Sequence, residues 1–185
     1  MTFLFLTCNF SKLEPSYHRN PELKMTLEEY NKAVDQYADN VYRFVLKNCK
    51  TEVLAQDVVQ DSFEKLWMKM DTVEAEKVKS YLFTTAYHTM LDLLRKENRM
   101  GEFNKDEEES VSHEDQYSGL SEVLEEALGR LPEIQRSVVL LRDYEGYSYE
   151  EIGEITGLNE SQVKVYIYRA RLSLKNYLVK MENII

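Results

Sequence analysis

Cysteine, proline and glycine are all scarce in this 185-residue chain, at two, three and six residues respectively. Lone Cys8 and Cys49 offer no disulfide frame and suit a reducing, cytoplasmic compartment. With so few helix breakers, and with no segment that alternates apolar and polar residues as a strand does, the expected fold is all-α. No hydrophobic run is long enough to cross a bilayer, so stable membrane insertion is not expected. The opening Met1-Thr-Phe-Leu-Phe-Leu-Thr-Cys8 does not read as a secretory or lipoprotein signal. It lacks a basic leading segment, its apolar core is very short, and Thr7 is poor before a lipidated cysteine.

The usual marks of enzymatic chemistry are missing as well. There is no phosphate-binding glycine loop, no His-Glu-x-x-His and no paired-cysteine metal spacing, and His18, His88 and His113 are scattered. Adjacent acids such as Glu28-Glu29 and Glu150-Glu151 are explained as first-turn charges that complement a helix dipole. The reading is therefore of a non-enzyme, with no catalytic residue, metal or cofactor.

Charge is present in excess of one sign. Thirty-three acidic residues against twenty-three basic give a formal charge of −10 and a sequence pI near 4.9. Such a chain is repelled by duplex DNA except where its charge is locally reversed. Reversal occurs between Ser161 and Lys180, where Lys164, Arg169, Arg171, Lys175 and Lys180 stand with no acid among them. Lys79, Arg95, Lys96 and Arg99 form a weaker cluster, diluted by Asp92 and Glu97.

The stronger cluster lies on a recognisable local pattern. Ser148 with Glu151 can form a capping box, Ile152 and Ile155 supply an apolar face, and Gly157 can take the positive φ that stops a helix. Asn159 with Gln162 offers a second cap, followed by an apolar stripe at Val163, Ile167, Ala170, Leu174 and Leu178. Lys164, Tyr168, Arg171 and Lys175 run beside that stripe, while Val165 and Arg169 lie roughly opposite it. A basic stripe alone is equally what a solvated helix shows. Two caps around a glycine turn make it a helix-turn-helix, with duplex DNA as the ligand.

The chain divides by composition. Residues 1–24 form an extension, 25–100 and 120–180 carry helical periodicity, 101–119 is an acidic stretch without apolar periodicity, and 181–185 is a tail. The expected architecture is two small helical domains joined by an acidic linker, the second domain a helix-turn-helix. The linker serves as spacing, as a mimic of nucleic acid, or as an occupant of a basic channel in a partner. Met25-Thr-Leu-Glu-Glu29 reads as a natural start with Thr26 capping a helix, so residues 1–24 are expected to be a disordered extension or the product of a mis-called start.

Two segments of the first domain matter further. Val53 to Met70 places Val59, Phe63, Leu66, Trp67 and Met70 on one helical face, with Asp57, Gln60, Asp61 and Glu64 away from it. Those four are solvated charge or a surface that docks on a basic partner. Val78 to Arg99 buries Leu82, Ala86, Met90 and Leu94 and carries Tyr81, Phe83 and Tyr87 ahead of its cations. Each ring alone suits a core. Rings interleaved with bases also suit single-stranded nucleic acid, because rings stack on bases and cations follow the backbone.

In this order, from about Leu27 to Tyr177, these segments resemble a bacterial RNA polymerase sigma factor of the extracytoplasmic-function (ECF) type within the sigma-70 family. Asp57-Val-Val-Gln60-Asp61-Ser-Phe-Glu-Lys-Leu-Trp67 looks like the region-two helix that docks on the polymerase clamp. Tyr81-Leu-Phe-Thr-Thr-Ala with Leu91-Asp92-Leu-Leu-Arg95-Lys96 looks like the element that engages the minus-ten promoter element. Leu131-Pro132 through Arg142, with the helix-turn-helix after it, is similar to region four.

The resemblance implies that the chain binds core RNA polymerase, contacting the clamp of the largest subunit and the flap of the second, and that only this assembly reads promoter DNA. It implies Asp57, Gln60, Asp61 and Glu64 at the clamp. Lys164, Val165, Tyr168, Arg169 and Arg171 would read the minus-thirty-five element as duplex. Tyr81, His88 and Asp92 would lie near the bases of the melted minus-ten strand, and Lys79, Arg95 and Lys96 near its phosphates. An extruded base would sit in a pocket made largely by the loop around Asp71 to Lys79, and contacts made only with that base stabilise the open form. The resemblance further implies an anti-sigma factor as partner. The chain departs from the family pattern at Lys164-Val165-Tyr166, where many relatives carry Lys or Arg, Ser, Arg, and at His88, where relatives usually carry Asn. Val165 can offer only apolar contact, for instance to a thymine methyl. Two other classes fit parts of the pattern: a DNA-binding regulator that recruits nothing, and a helical adaptor.

Overall fold

The computed structural model describes residues 24–101 and 119–182, with side chains described for 24–96 and 122–180. The rest of the extension, the acidic stretch at 102–118 and residues 183–185 lie outside the described residues. Among the described residues the fold is all helical, with α1 at Leu27–Cys49, α2 at Glu52–Met68, α3 at Val78–Gly101, α4 at Gly119–Gly129, α5 at Glu133–Asp143, α6 at Tyr149–Thr156 and α7 at Glu160–Glu182. A 3-10 turn at Ala75–Lys77 leads into α3.

Local chemistry accounts for where the helices start. Thr26 accepts from the Glu29 N–H while the Glu29 carboxylate accepts from the Thr26 N–H at 2.7 Å, closing a capping box at α1. At the other end of α1, Lys50 takes a left-handed φ of 61° and its N–H donates to the Leu46 carbonyl.

The first three helices pack on one another. Their shared interior holds Val41, Val45, Ala55, Val58, Leu66, Leu82 and Met90. Aromatic contacts stitch it: Tyr30 meets Trp67 and Phe63 edge to face, at centroid separations of 5.1 and 6.5 Å, and Phe44 meets Phe83 at 5.5 Å. Each fully buried ring or branched chain of this kind contributes roughly 1.5–3 kcal/mol. Met25 belongs to the same interior, fully buried, with its N–H donating to the Met70 carbonyl at 3.0 Å. Just ahead of it Lys24 pairs with Glu74 at 3.6 Å. Of the apolar positions expected to be buried here, Leu94 and Trp67 are only half-buried.

Helices α4 to α7 form a second group around α5 and α7. Val138, Leu141, Ile152, Ile155, Val163, Ile167 and Ala170 fill it, and the stripe on α7 loosens to half-buried at Leu174 and Leu178. The two groups touch: α1 lies against α4 and α5, and α3 against α6. Arg136, buried on α5, donates to the carbonyls of Leu128, Gly129 and Leu131 at the end of α4 and, at 2.7 Å, to that of Asn48 on α1. One guanidinium thus satisfies carbonyls that both helix ends leave without an intrahelical donor.

Candidate nucleic-acid interface

The α6–turn–α7 unit is built as its sequence dictates. The Ser148 N–H donates to the Glu151 carboxylate at 2.7 Å and the Glu151 N–H returns to Ser148 Oγ. Those hydrogen bonds hold the Glu151 carboxyl below its ordinary pKa. Gly157 closes α6 at φ 73°, and Asn159 and Gln162 cap α7 reciprocally at 2.9 and 3.0 Å. A further glycine, not singled out from sequence, sets the approach of the turn to α6. A Cβ on Gly153 would lie 2.7 Å from the Leu158 carbonyl oxygen, so any side chain there pushes the turn away.

With Val163, Ile167 and Ala170 buried, the first turns of α7 present Lys164, Val165, Tyr168 and Arg169 to solvent. Tyr168 is 68% exposed and Val165 44%, unusual for large apolar groups and apt for a surface that meets a ligand. The cations are not equivalent. Lys164 pairs with Glu160 at 2.6 Å and lies 5.7 Å from the Tyr149 ring centroid. Arg171 is held by Asp143 of α5, which raises the guanidinium pKa through the hydrogen bond it receives. Arg169 makes no ion pair among the described residues.

On α3, Tyr81, Thr85, His88, Asp92 and Arg95 recur at three- and four-residue steps and share one face. That face meets α2 across an open groove of about 490 Å³, lined by Tyr81, His88 and Asp92 together with Lys65 and Lys69. The two lysines had no role in the sequence reading. Lys69 stands 5.9 Å from the centroid of the Tyr81 ring, the Tyr81 hydroxyl donates to the Lys65 carbonyl, and Lys65 Nζ donates to Thr89 Oγ1 at 2.9 Å. The groove thus offers an aromatic face, hydroxyls and two cations at one edge, the combination that holds unstacked bases on a tracked backbone. Arg95 pairs with Asp92 at 3.4 Å, and Lys96 is exposed one turn beyond. Lys79 does not join them: it occupies the other side of α3, against the turn between α5 and α6.

Asp57, Gln60, Asp61 and Glu64 are all exposed on a single side of α2. Val53 and Met68, each 68% exposed, continue the same side at both ends at helical spacing. An acidic centre with apolar ends is the form of a protein-docking surface, and its apolar part is invisible in a pattern that assigns large hydrophobes to the core.

Comparison with known proteins agrees with this anatomy. The family model described as Sigma-70 region 2 matches residues 33–100, and Sigma-70, region 4 matches residues 121–174. The chain is 32% identical to RNA polymerase sigma factor SigV of Bacillus subtilis over 150 residues, covering 80% of this chain and 89% of SigV. It is 28% identical to ECF RNA polymerase sigma factor SigM of the same organism, covering 82% of this chain and 94% of SigM. Among solved structures, the sigma factor RpoE in complex with the anti-sigma factor NepR from Bartonella quintana superposes with a TM-score of 0.73 at 26% identity, over 82% of this chain and 98% of RpoE. The chain belongs to the sigma-70 family, in its ECF branch, and acts with RNA polymerase in promoter-specific transcription initiation. It is an initiation factor, as its lack of catalytic signatures anticipates.

Proposed function

We propose that the surfaces described above divide the labour of initiation. The acidic side of α2, from Val53 through Asp57, Gln60, Asp61 and Glu64 to Met68, docks on the basic clamp of core polymerase. The first turns of α7 read the upstream promoter element as duplex, with Arg169 and Lys164 serving phosphates or base edges and Val165 and Tyr168 making apolar contact. The groove between α2 and α3 receives the melted strand, stacking a base on Tyr81, hydrogen-bonding another at His88 or Asp92, and following phosphates with Lys65, Lys69, Arg95 and Lys96.

The observation that carries this division is geometric. On α2 the acids project from one side while Lys65 and Lys69 turn to the groove edge, so docking and nucleic-acid capture use separate faces of one helix. Net charge supports the order of events. A body at −10 gains little from approaching DNA alone, and a polymerase that already holds DNA supplies the missing attraction.

By likeness to the RpoE complex, an anti-sigma protein is a further partner, and the site of action is the cytoplasm. Among the described residues no helix is long and apolar enough to cross a membrane. Reconstitution tests the reading. The purified chain, core polymerase and a promoter fragment should give a specific transcript only when all are present; promoter binding by the free chain without initiation would instead indicate a regulator that recruits nothing.

A further inference from the structure

Lys79, assigned above from the family pattern to promoter phosphate, already has a partner within the chain. Its Nζ donates to the Glu145 backbone carbonyl at 2.8 Å, lies 3.6 Å from the Glu145 carboxylate, and sits 4.6 Å from the Tyr147 ring centroid. The Glu145 side chain is only 8% exposed, and its carboxylate also accepts from Asn40 Nδ2 at 3.2 Å. Tyr147 is buried beside it with its ring 5.5 Å from that of Phe83. These groups belong to the turn between α5 and α6, seated on α1 and α3. A second contact backs the first: Asn48 of α1 accepts from Ser137 Oγ at 2.8 Å through its side chain and from Arg136 through its carbonyl.

We infer that this turn is an autoinhibitory latch, in which Glu145 stands in for a promoter phosphate on Lys79 and holds the two halves of the free chain together. The inference rests on the sigma-factor reading of Lys79. The character of the contact supports reversibility. It is built around one lysine, one carboxylate and an amide rather than an extended apolar seam, as are interfaces between domains that move. It also buries the Tyr147 hydroxyl without a hydrogen-bond partner, a cost that separation removes. Meanwhile the acidic side of α2 stays exposed in the closed form. Core polymerase can therefore dock first, and only a ligand that prefers the open form, promoter held by polymerase, displaces Glu145. The latch thus adds a steric reason to the electrostatic one for the silence of the free chain.

A reversible tether tests it. In the full chain carrying Cys8→Ser and Cys49→Ser, the substitutions Asn40→Cys and Glu145→Cys are joined by a short cleavable thiol crosslinker. The tethered chain should co-elute with core polymerase but give about tenfold fewer open promoters, recovering once the linker is cleaved. Separately, Glu145→Ala should raise the affinity of the unassisted chain for a promoter fragment about fivefold by enlarging the competent fraction. Equal promoter opening before and after cleavage overturns the latch, as does an unchanged affinity in Glu145→Ala. Failure of the untouched chain to initiate with core polymerase would overturn the sigma reading itself, a result distinct from both.

Discussion

Arg171 on α7 donates to both carboxylate oxygens of Asp143 at the end of α5, with Nε 3.1 Å from Oδ2, while Arg169 two residues earlier projects into solvent. The pair is half exposed, so it stabilises the domain by no more than about 1 kcal/mol. Its consequence for recognition is larger, because an arginine already committed to a carboxylate must break that bond to reach DNA. Arg169→Ala should weaken promoter binding by the assembled polymerase by about 1–3 kcal/mol, whereas Arg171→Ala should cost less than half as much. Binding isotherms on one promoter fragment at several salt concentrations check this, and equal losses would show that Arg171 leaves Asp143 in the complex.

Reversal of Asp61 to lysine should act at a different step. Asp61 is exposed and makes no ion pair among the described residues, so the substitution leaves packing intact. It places a cation against a basic partner surface, and core affinity should fall on the order of tenfold or more with little change in thermal midpoint. Met68→Ser should weaken the same association without altering its salt dependence. Competition against labelled wild-type chain for core polymerase measures both; an Asp61→Lys chain of wild-type affinity would remove α2 from the docking surface.

Much of this anatomy is local, and for that reason legible in the chain. The caps at Thr26, Ser148 and Asn159, the stop at Gly157 and the apolar stripe from Val163 to Ala170 each depend on residues within a turn or two, and each stands as read. What escaped the sequence depends on distant partners. Val53 and Met68 looked like core because an apolar residue carries no mark of which face it occupies. Arg136 looked like a surface charge, since the carbonyls it serves come from positions 48, 128, 129 and 131. Met25, taken as a starting residue, is a core residue because Met70 and its neighbours close over it. Lys79 was grouped with Tyr81 by proximity along the chain, yet adjacent positions on a helix face apart.

Arg136 supplies the sharpest stability test. Replacing it by methionine keeps the apolar stem but leaves four buried or half-buried carbonyls without their donor, at a cost of about 3 kcal/mol or more. Arg136→Lys should not rescue, because a single ammonium cannot reproduce the planar fork that spans acceptors on α1 and α4. Urea unfolding gives the comparison. A lysine variant within a few tenths of wild type would mean that charge, and not the fork, holds the helix ends.

Alkaline pH should expose Tyr30. Its ring is buried between Phe63 and Trp67, its hydroxyl donates to the Phe63 carbonyl at 3.2 Å, and burial pushes its pKa from the ordinary 10 up to about 12. A raised folded-state value means that, between those limits, the unfolded chain has released a proton the folded chain retains. Stability associated with this group is thus complete below pH 10 and declines as pH rises, by roughly 3 kcal/mol across the window. Tyr30→Phe removes the titrating proton while keeping the ring. It should lose about 1 kcal/mol at neutral pH for the missing hydrogen bond, yet fall less steeply than wild type above pH 10, so that the two urea midpoints converge. Buried Tyr87 and Tyr147 are common to both chains and cancel in the difference. Parallel declines would place the alkaline sensitivity elsewhere than Tyr30.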